Sequence, residues 1–251
     1  MENTHLLAYL DDLLRPQLFR DYCPNGLQIE GKKQVNKVIT GVTASQALID
    51  AAIAKGADAI FVHHGYFWKN ESPNITAMKR NRIKALLSND INLYAYHLPL
   101  DAHPTLGNNA QLAARLGISG NEPLQPGKEL SVVRRGDFPQ PRSLSELKHL
   151  IEQQLHRTPL IEASGPEQIN SVAWCTGGGQ GYIELAAEAG IDVFITGEAS
   201  EQTIHTAREM GLHFIAAGHH ATERYGAMAV GEHLAAELDL AVEFVDIDNP
   251  V

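Results

Sequence analysis

The segment GADAIFVHHG, from Gly56 to Gly65, carries the clearest structural signals in the sequence. Its first glycine follows a helical pattern over Ala44–Lys55, at the position just beyond a helix end where glycine is common. Ala59–Val62 then forms a short continuous apolar run, which is typical of a strand covered on both faces. Strand and helix alternate in the same way over Val35–Tyr96, so the sequence predicts an α/β fold with a largely parallel sheet.

The second half of the chain repeats this plan 134 residues later. From Val38 to His64 each residue aligns without gaps with its counterpart, and the order of strand, turn, helix, Gly-x-Asp and apolar strand is the same. This pattern predicts a duplicated α/β unit with mixed, mostly parallel sheets, and we expect the two copies to face each other. The identical pairs are Val38 and Val172, Gln46 and Gln180, Ile49 and Ile183, Ala52 and Ala186, Gly56 and Gly190, and Asp58 and Asp192.

The predicted boundaries place residues 1–125 and 218–251 in the first repeat and residues 126–217 in the second. Between the copies, residues 121–165 are richer in proline and glycine and are assigned to the second repeat. One helix is predicted there, over Ser143–Gln154, because Ser143 is followed three residues later by a glutamate in the pattern of a capping box.

The composition narrows the class of protein before any motif is considered. The 251 residues include 30 acidic and 20 basic side chains, for a formal net charge of −10, which disfavours nucleic acid as a partner. There is no run of roughly 20 apolar residues and no secretory signal pattern at the N-terminus, so we expect a cytoplasmic protein without a membrane span. The two cysteines, Cys23 and Cys175, form no disulfide framework.

Five metal-binding residue types lie just beyond the predicted apolar strands. Parallel strands present their carboxyl ends at one edge of a sheet, which is where α/β proteins bind ligands. Three imidazoles and two carboxylates suit zinc, iron or manganese and predict a metal site at these strand ends. The alternative remains open, since His-His and His-x-x-x-Glu sequences are also common on protein surfaces. The five residues are His63, His64, Asp101, His219 and Glu223.

Two further residues are candidate catalytic groups. His97 lies four residues before Asp101 and is favoured as a partner that orients a metal ligand. Glu198 occupies the position in the second copy that His64 occupies in the first, so we expect it to face the cleft as a general base or water-positioning group. Thr176–Gly181 either binds phosphate between a strand and a helix or only permits a tight turn, and it lacks the lysine of a P-loop.

Several short segments occur together in this chain: Asn25–Gln28, Gly41–Thr43, Val62–Gly65, His97–Asp101, Gly107–Asn109, Thr196–Glu198 and Gly218–Glu223. Together they resemble the family of GTP cyclohydrolase 1 type 2 homologs, also known as domain of unknown function 34, in its short bacterial form. The resemblance extends from about Leu6 to Asp248. It implies two interlocked, duplicated α/β repeats with the metal site in the cleft between them. It also implies a ring-shaped homohexamer with two divalent metal ions per subunit. The ligands that it implies are His63, His64, Asp101, His219 and Glu223.

The leading functional hypothesis is a dinuclear-metal hydrolase that acts on a nucleotide or a similar small heterocycle. The family name implies GTP as the substrate, and a basic cluster of Lys79, Arg80 and Arg82 would then hold its triphosphate. The alternative is a non-catalytic, ring-forming scaffold that binds or handles metal. Both hypotheses use the same five ligands, so the ligand set alone does not separate them.

Overall fold

The computed structural model describes residues 1–128 and 130–251. Strands and helices alternate through both halves of the chain, and the strands form two separate mixed sheets. The predicted α/β class is therefore confirmed. Within the described part of the chain, no helix combines the length and the apolar character needed to cross a membrane.

The chain divides into two compact units. The first unit contains Met1–Leu100 and Gly226–Asp248, and the second contains Asp101–Tyr225 and Asn249–Val251. Each unit has its own sheet and its own apolar core.

The first unit is built on a five-stranded sheet. Its strands are β1 (Gly26–Ile29), β2 (Lys37–Thr43), β3 (Ala59–His64), β4 (Asn92–Ala95) and β11 (Ala241–Phe244). Their order is β1-β4-β3-β2-β11, and only the β1–β4 pair among these described strands is antiparallel. Its helices are α1 (Asn3–Leu14), α2 (Gln46–Ala54) and α3 (Ala77–Ser88), while α4 (Leu98–Ala102) and α9 (His219–Leu238) contain the boundaries between the units.

Local sequence explains these elements. Leu6, Leu10 and Leu14 recur at helical spacing and are all buried, so α1 presents one apolar face to the core. The helix ends before Pro16, as the sequence predicts. At the start of α2, the Ser45 side chain accepts a hydrogen bond from a backbone amide of the first turn.

The second unit contains a six-stranded sheet. Its strands are β5 (Ser119–Pro123), β6 (Arg134–Arg142), β7 (Leu160–Glu162), β8 (Ile169–Cys175), β9 (Val193–Thr196) and β10 (His213–Ala216). The order is β5-β6-β8-β9-β10-β7, with β8, β9 and β10 parallel and the other pairs antiparallel. The helices are α5 (Asn108–Leu116), α6 (Leu144–Leu155), α7 (Ile183–Glu188) and α8 (Glu201–Met210).

The predicted boundaries at residues 125 and 218 differ from the observed division at residues 100 and 225. One cause is strand pairing, because β5 pairs with β6 and therefore belongs to the second sheet. The stretch 121–165 also contains strands β6 and β7 beside the predicted helix. Pro139 and Pro141 obscure β6 in the sequence, and they lie where its pairing with β8 shifts register between Asp137 and Arg142.

The strand pairing shows the duplication directly. In the first unit Val38 of β2 lies opposite Ala59 of β3, and in the second unit Val172 of β8 lies opposite Val193 of β9. Val172 lies 134 positions after Val38, and Val193 lies 134 positions after Ala59. This is the same offset that aligns the two halves of the sequence. The two units therefore repeat both the order of their elements and the register of their central strands.

Candidate functional site

His63 lies at the buried end of β3. Its Nδ1 is 3.1 Å from the carbonyl oxygen of Tyr96. A carbonyl oxygen only accepts hydrogen bonds, so we assign the proton of the neutral ring to Nδ1 and the lone pair to Nε2. This is how ligating histidines are commonly oriented in metal sites.

His64 and His97 complete a cluster of three imidazoles in the first unit. The ring centroids of His63 and His64 are 4.4 Å apart, and the ring of His97 lies 5.1 Å from that of His63. Each ring offers a nitrogen within 4.8 Å of the other two, a spacing at which the three could share a metal ion. His64 Nδ1 also lies 3.1 Å from the Thr43 hydroxyl, at the end of β2.

Asp21 holds His97 in place. Its Oδ1 is 2.7 Å from His97 Nδ1, while Oδ2 accepts hydrogen bonds from the Asn25 side chain and the Leu98 amide, both at 2.9 Å. Burial alone would raise the pKa of Asp21, but hydrogen bonds from His97 and Asn25 outweigh it and lower the pKa. Asp21 thus orients His97, and no sequence pattern pointed to Asp21. The role of His97 as a group that orients a metal ligand stays a prediction.

Trp68 and Cys23 border this cluster. The Trp68 indole packs edge-on against His97 at 5.0 Å and lies 5.9 Å from the His64 ring. The Cys23 thiol is buried beside Asp21, and burial together with that negative charge raises its pKa to about 12. Cys23 is therefore a neutral thiol at physiological pH and a poor metal ligand there.

In the second unit, Asp101 is fixed by the Gly107–Asn109 segment and by Thr176. Its Oδ1 accepts hydrogen bonds from Asn108 Nδ2 at 2.9 Å and from Thr176 Oγ1 at 3.3 Å. Asn109 Nδ2 donates to the Asp101 carbonyl, and Asn109 Oδ1 accepts from the Thr176 amide. The carboxylate is buried, so these neutral donors both satisfy it and set its direction.

His219 lies between two carboxylates of the second unit. Its Nδ1 is 2.6 Å from Glu198 Oε1, and its Nε2 is 3.1 Å from Glu223 Oε2. Burial would lower the pKa of His219, but Glu223 and then Glu198 outweigh this and raise it to about 9. A carboxylate oxygen of Asp101 also lies within 4.8 Å of one of Glu223. The second unit thus gathers the three ligands predicted from it.

The two His-x-x-x-acid sequences are not structurally equivalent. His97 precedes α4, which begins at Leu98, whereas His219 is itself the first residue of α9. Asp101 is therefore the fourth residue of its helix and Glu223 the fifth. The equal spacing hides a shift of one residue, which explains why His219 contacts Glu223 directly while His97 is held by Asp21.

The glycine-rich turn serves close packing at this site. Gly177 has φ of 65°, and a Cβ there would collide with the Glu223 carboxylate. Its amide donates to Thr222 Oγ1 at 3.0 Å, and its carbonyl accepts from the Gly197 amide at 2.8 Å. The sequence left two roles open for this turn, phosphate binding or a tight turn with close packing. The contacts of Gly177 are explained by close packing.

The basic cluster offers fewer phosphate ligands than its sequence suggests. Lys79 is buried, donates to the Ser72 carbonyl at 3.0 Å and pairs with Glu71 at 3.4 Å. It is therefore engaged in holding its own loop. Arg80 instead lines an open groove of about 430 Å³ together with Lys84.

The side chains fit divalent metal ions by their chemistry. The imidazoles of His63 and His97 each direct Nδ1 toward an oxygen, the arrangement in which Nε2 of a histidine commonly binds a metal ion, whereas both nitrogens of His219 face carboxylate oxygens. Nitrogen and carboxylate oxygen donors suit zinc, iron or manganese. The structure therefore contains clusters of side chains that could bind metal, among them His63, His64 and His97 of the first unit.

Known proteins resemble this chain over its whole length. The Duf34/NIF3 family (NGG1p interacting factor 3) matches residues 1–250. A Vibrio cholerae serotype O1 protein named GTP cyclohydrolase 1 type 2 homolog is 59% identical over 255 residues, with 100% of both chains covered. The solved structure of protein ybgI is 58% identical with a TM-score of 0.96, and that of TTHA1606 from Thermus thermophilus is 35% identical with a TM-score of 0.91, each covering 100% of both chains. The chain belongs to the Duf34/NIF3 family.

Proposed function

We propose that the protein is a hydrolase that uses two divalent metal ions per subunit and acts on a nucleotide or a similar small heterocycle. The observation that carries the proposal is that candidate ligands lie close together in each unit: nitrogens of His63 and His64 are within 4.8 Å of each other, and so are carboxylate oxygens of Asp101 and Glu223. When bound, two such ions would lower the pKa of water and polarise the bond under attack. The proposed ligands are His63, His64, Asp101, His219 and Glu223.

The surrounding residues support this assignment by orienting the ligands. The Tyr96 carbonyl directs His63, and the side chains of Asn108 and Thr176 direct Asp101. Glu198 directs His219, so we assign it a positioning role beside the general-base role predicted from the sequence. His97 borders the ligand imidazoles and is the second candidate catalytic residue.

The substrate class comes from the names of relatives rather than from a bound ligand. The Vibrio cholerae protein is named as a homolog of a GTP cyclohydrolase, so GTP is the first nucleotide to test. We further propose that the subunits form a homohexameric ring. Light scattering checks this assembly, and a 27.4 kDa monomer in solution would contradict it.

The decisive experiment combines elemental analysis with GTP turnover, before and after chelation. We expect two transition-metal ions per chain and formate release that chelation abolishes. His64→Ala and Glu223→Ala should each lose metal, whereas His149→Ala, at an exposed position on α6, should keep it. Unchanged metal content in both site variants would refute the ligand assignment. Two bound ions without turnover of any nucleotide would instead favour the metal-handling alternative.

A further inference from the structure

We propose that a pocket in the second unit binds an uncharged nitrogen heterocycle, such as a nucleobase, beside the His219–Glu198 pair. The proposal deepens the proposed function and rests on it for the nature of the substrate. The pocket has a volume of about 250 Å³, below the usual range for drug-sized ligands and suited to a small ring system. Its walls come from the glycine-rich turn and α7 on one side and from the start of α8 on the other.

The lining chemistry favours a neutral, hydrogen-bonding ligand. Gln180, Gln202, Ser200 and Thr203 contribute amides and hydroxyls, which can donate to and accept from ring nitrogens and carbonyls. Glu184 is the charged side chain of the lining, and none of the described lining residues is a lysine or arginine. A phosphate group there would meet a carboxylate without a compensating cation, so the geometry disfavours the triphosphate in this pocket.

Gln180 connects the pocket to the candidate metal ligands. Its Nε2 donates to Glu198 Oε2 at 3.3 Å, and the other oxygen of Glu198 lies 2.6 Å from His219 Nδ1. Because a carboxylate only accepts, the Gln180 amide is oriented with Oε1 facing away from Glu198.

The Gln180 Oε1 atom is buried and accepts no hydrogen bond from any residue that the structure describes. A buried acceptor left in this state is destabilising. A turn of the Gln180 side chain toward the pocket would expose this atom, and an N–H group of a heterocycle bound there would satisfy it. The ligand would then be joined to His219 through Gln180 and Glu198.

Gly181 allows the pocket to be filled without disturbing the protein. A Cβ added there meets no atom within 4 Å, and its φ lies outside the left-handed region. Gly181→Leu should therefore place a side chain in the pocket while the fold remains intact. Glu188→Leu, at the end of the helix α7 that follows Gly181 and outside the pocket, is the matched control.

The test is equilibrium dialysis of the purified full chain with guanosine, adenosine and uridine, with inorganic triphosphate as a competitor. We expect at least one nucleoside to bind, Gly181→Leu to raise its Kd more than tenfold and Gln180→Leu to raise it about fivefold, the effect of one lost hydrogen bond. Glu188→Leu should leave the Kd unchanged. Metal content, measured on the same samples, should be the same in Gly181→Leu and Glu188→Leu as in the wild type.

Two results would overturn the proposal: equal nucleoside affinity in Gly181→Leu and the wild type, or no nucleoside binding to the wild type at millimolar concentration. Displacement of the nucleoside by equimolar inorganic triphosphate would also contradict it, because it would indicate a phosphate site. These outcomes are separable from failure of the proposed function, since binding is measured without turnover and metal content is determined independently.

Discussion

The two units share their central strands but differ where those strands end. In the first unit β3 ends in His63-His64, whereas in the second unit β9 is followed by Gly197-Glu198 at the equivalent positions. The first unit thus supplies a cluster of imidazoles, and the second supplies carboxylates around the single imidazole of His219. Loops at a sheet edge bear little of the core, so they can diverge in chemistry on a repeated scaffold.

The opposite ends of the same strands have remained alike. Asp58 Oδ2 accepts hydrogen bonds from the amides of Asn36 and Lys37, at 3.0 and 3.1 Å. Asp192 Oδ2 accepts hydrogen bonds from the two backbone amides that lie 134 positions after those of Asn36 and Lys37, both at 2.9 Å. The repeated aspartate fixes the same turn in each unit, which identifies this feature as part of the scaffold rather than of the site.

Gly177→Ala should produce the largest effect on stability among the changes that test this comparison. The left-handed backbone costs a non-glycine residue about 1–2 kcal/mol, and the new Cβ would in addition collide with Glu223. We expect the free energy of unfolding, measured by urea titration, to fall by about 3 kcal/mol or more. Metal content should fall as well, because the carboxylate must move.

Substitutions at two other glycines measure the cost of the left-handed backbone without any collision of the new Cβ. Gly56 and Gly190 are equivalent in the two units, have φ of 65° and 70°, and have no atom within 4 Å of an added Cβ. Gly56→Ala and Gly190→Ala should each lose only about 1–2 kcal/mol and should match each other. A loss in Gly177→Ala no greater than in these two would show that the Glu223 contact is unimportant.

The sequence was sufficient to predict the parallel core and the residues at its edge. Alternating apolar strands and helices carry a periodic signal, so β3 and α1 were found near their observed bounds. Strand β6 was missed because its prolines oppose a strand and only its neighbours β5 and β8 support it. The capping box at Ser143 was confirmed because both of its hydrogen bonds are local.

The contacts that orient the ligands could not be found by spacing. Asp21 lies 76 residues from His97, and no periodicity connects the two. Thr176 lies 75 residues from Asp101, within a turn whose glycines drew attention for a different reason. Metal-binding residue types at the ends of strands can be predicted from the local sequence. The side chains that orient them are distant in the sequence and come together only through the tertiary fold.

Asp58→Asn and Asp192→Asn test whether the repeated aspartates have the same structural role. Each substitution replaces a charged acceptor of two amides, so we expect each to cost about 2 kcal/mol of unfolding free energy. Asp58→Asn should cost slightly more, because it also loses the 2.7 Å ion pair with Lys32. A negligible cost in either variant would remove the structural equivalence.

The pH dependence gives a second measurement for Asp58. Burial would raise its pKa, but the hydrogen bond from Lys32 and those from two backbone amides outweigh it and lower the pKa. Since the folded pKa lies below the unfolded one, the stabilisation is fully present above the ordinary carboxyl range and is lost as pH falls through the folded value. Urea titrations at neutral and acidic pH should therefore show a smaller difference between wild type and Asp58→Asn in acid.

The smallest expected effect concerns the start of α2. Ser45 Oγ accepts from the Leu48 amide at 3.3 Å, so Ser45→Ala should cost about 1 kcal/mol and Ser45→Gly only a few tenths, measured by urea titration. A negligible loss in Ser45→Ala would show that the hydrogen bond contributes nothing. The equivalent residue in the second unit is Gly179, where a Cβ would lie 2.6 Å from that of Cys175. The second unit cannot adopt this cap without moving β8, so its helix start follows the packing of the site rather than the preference of the helix.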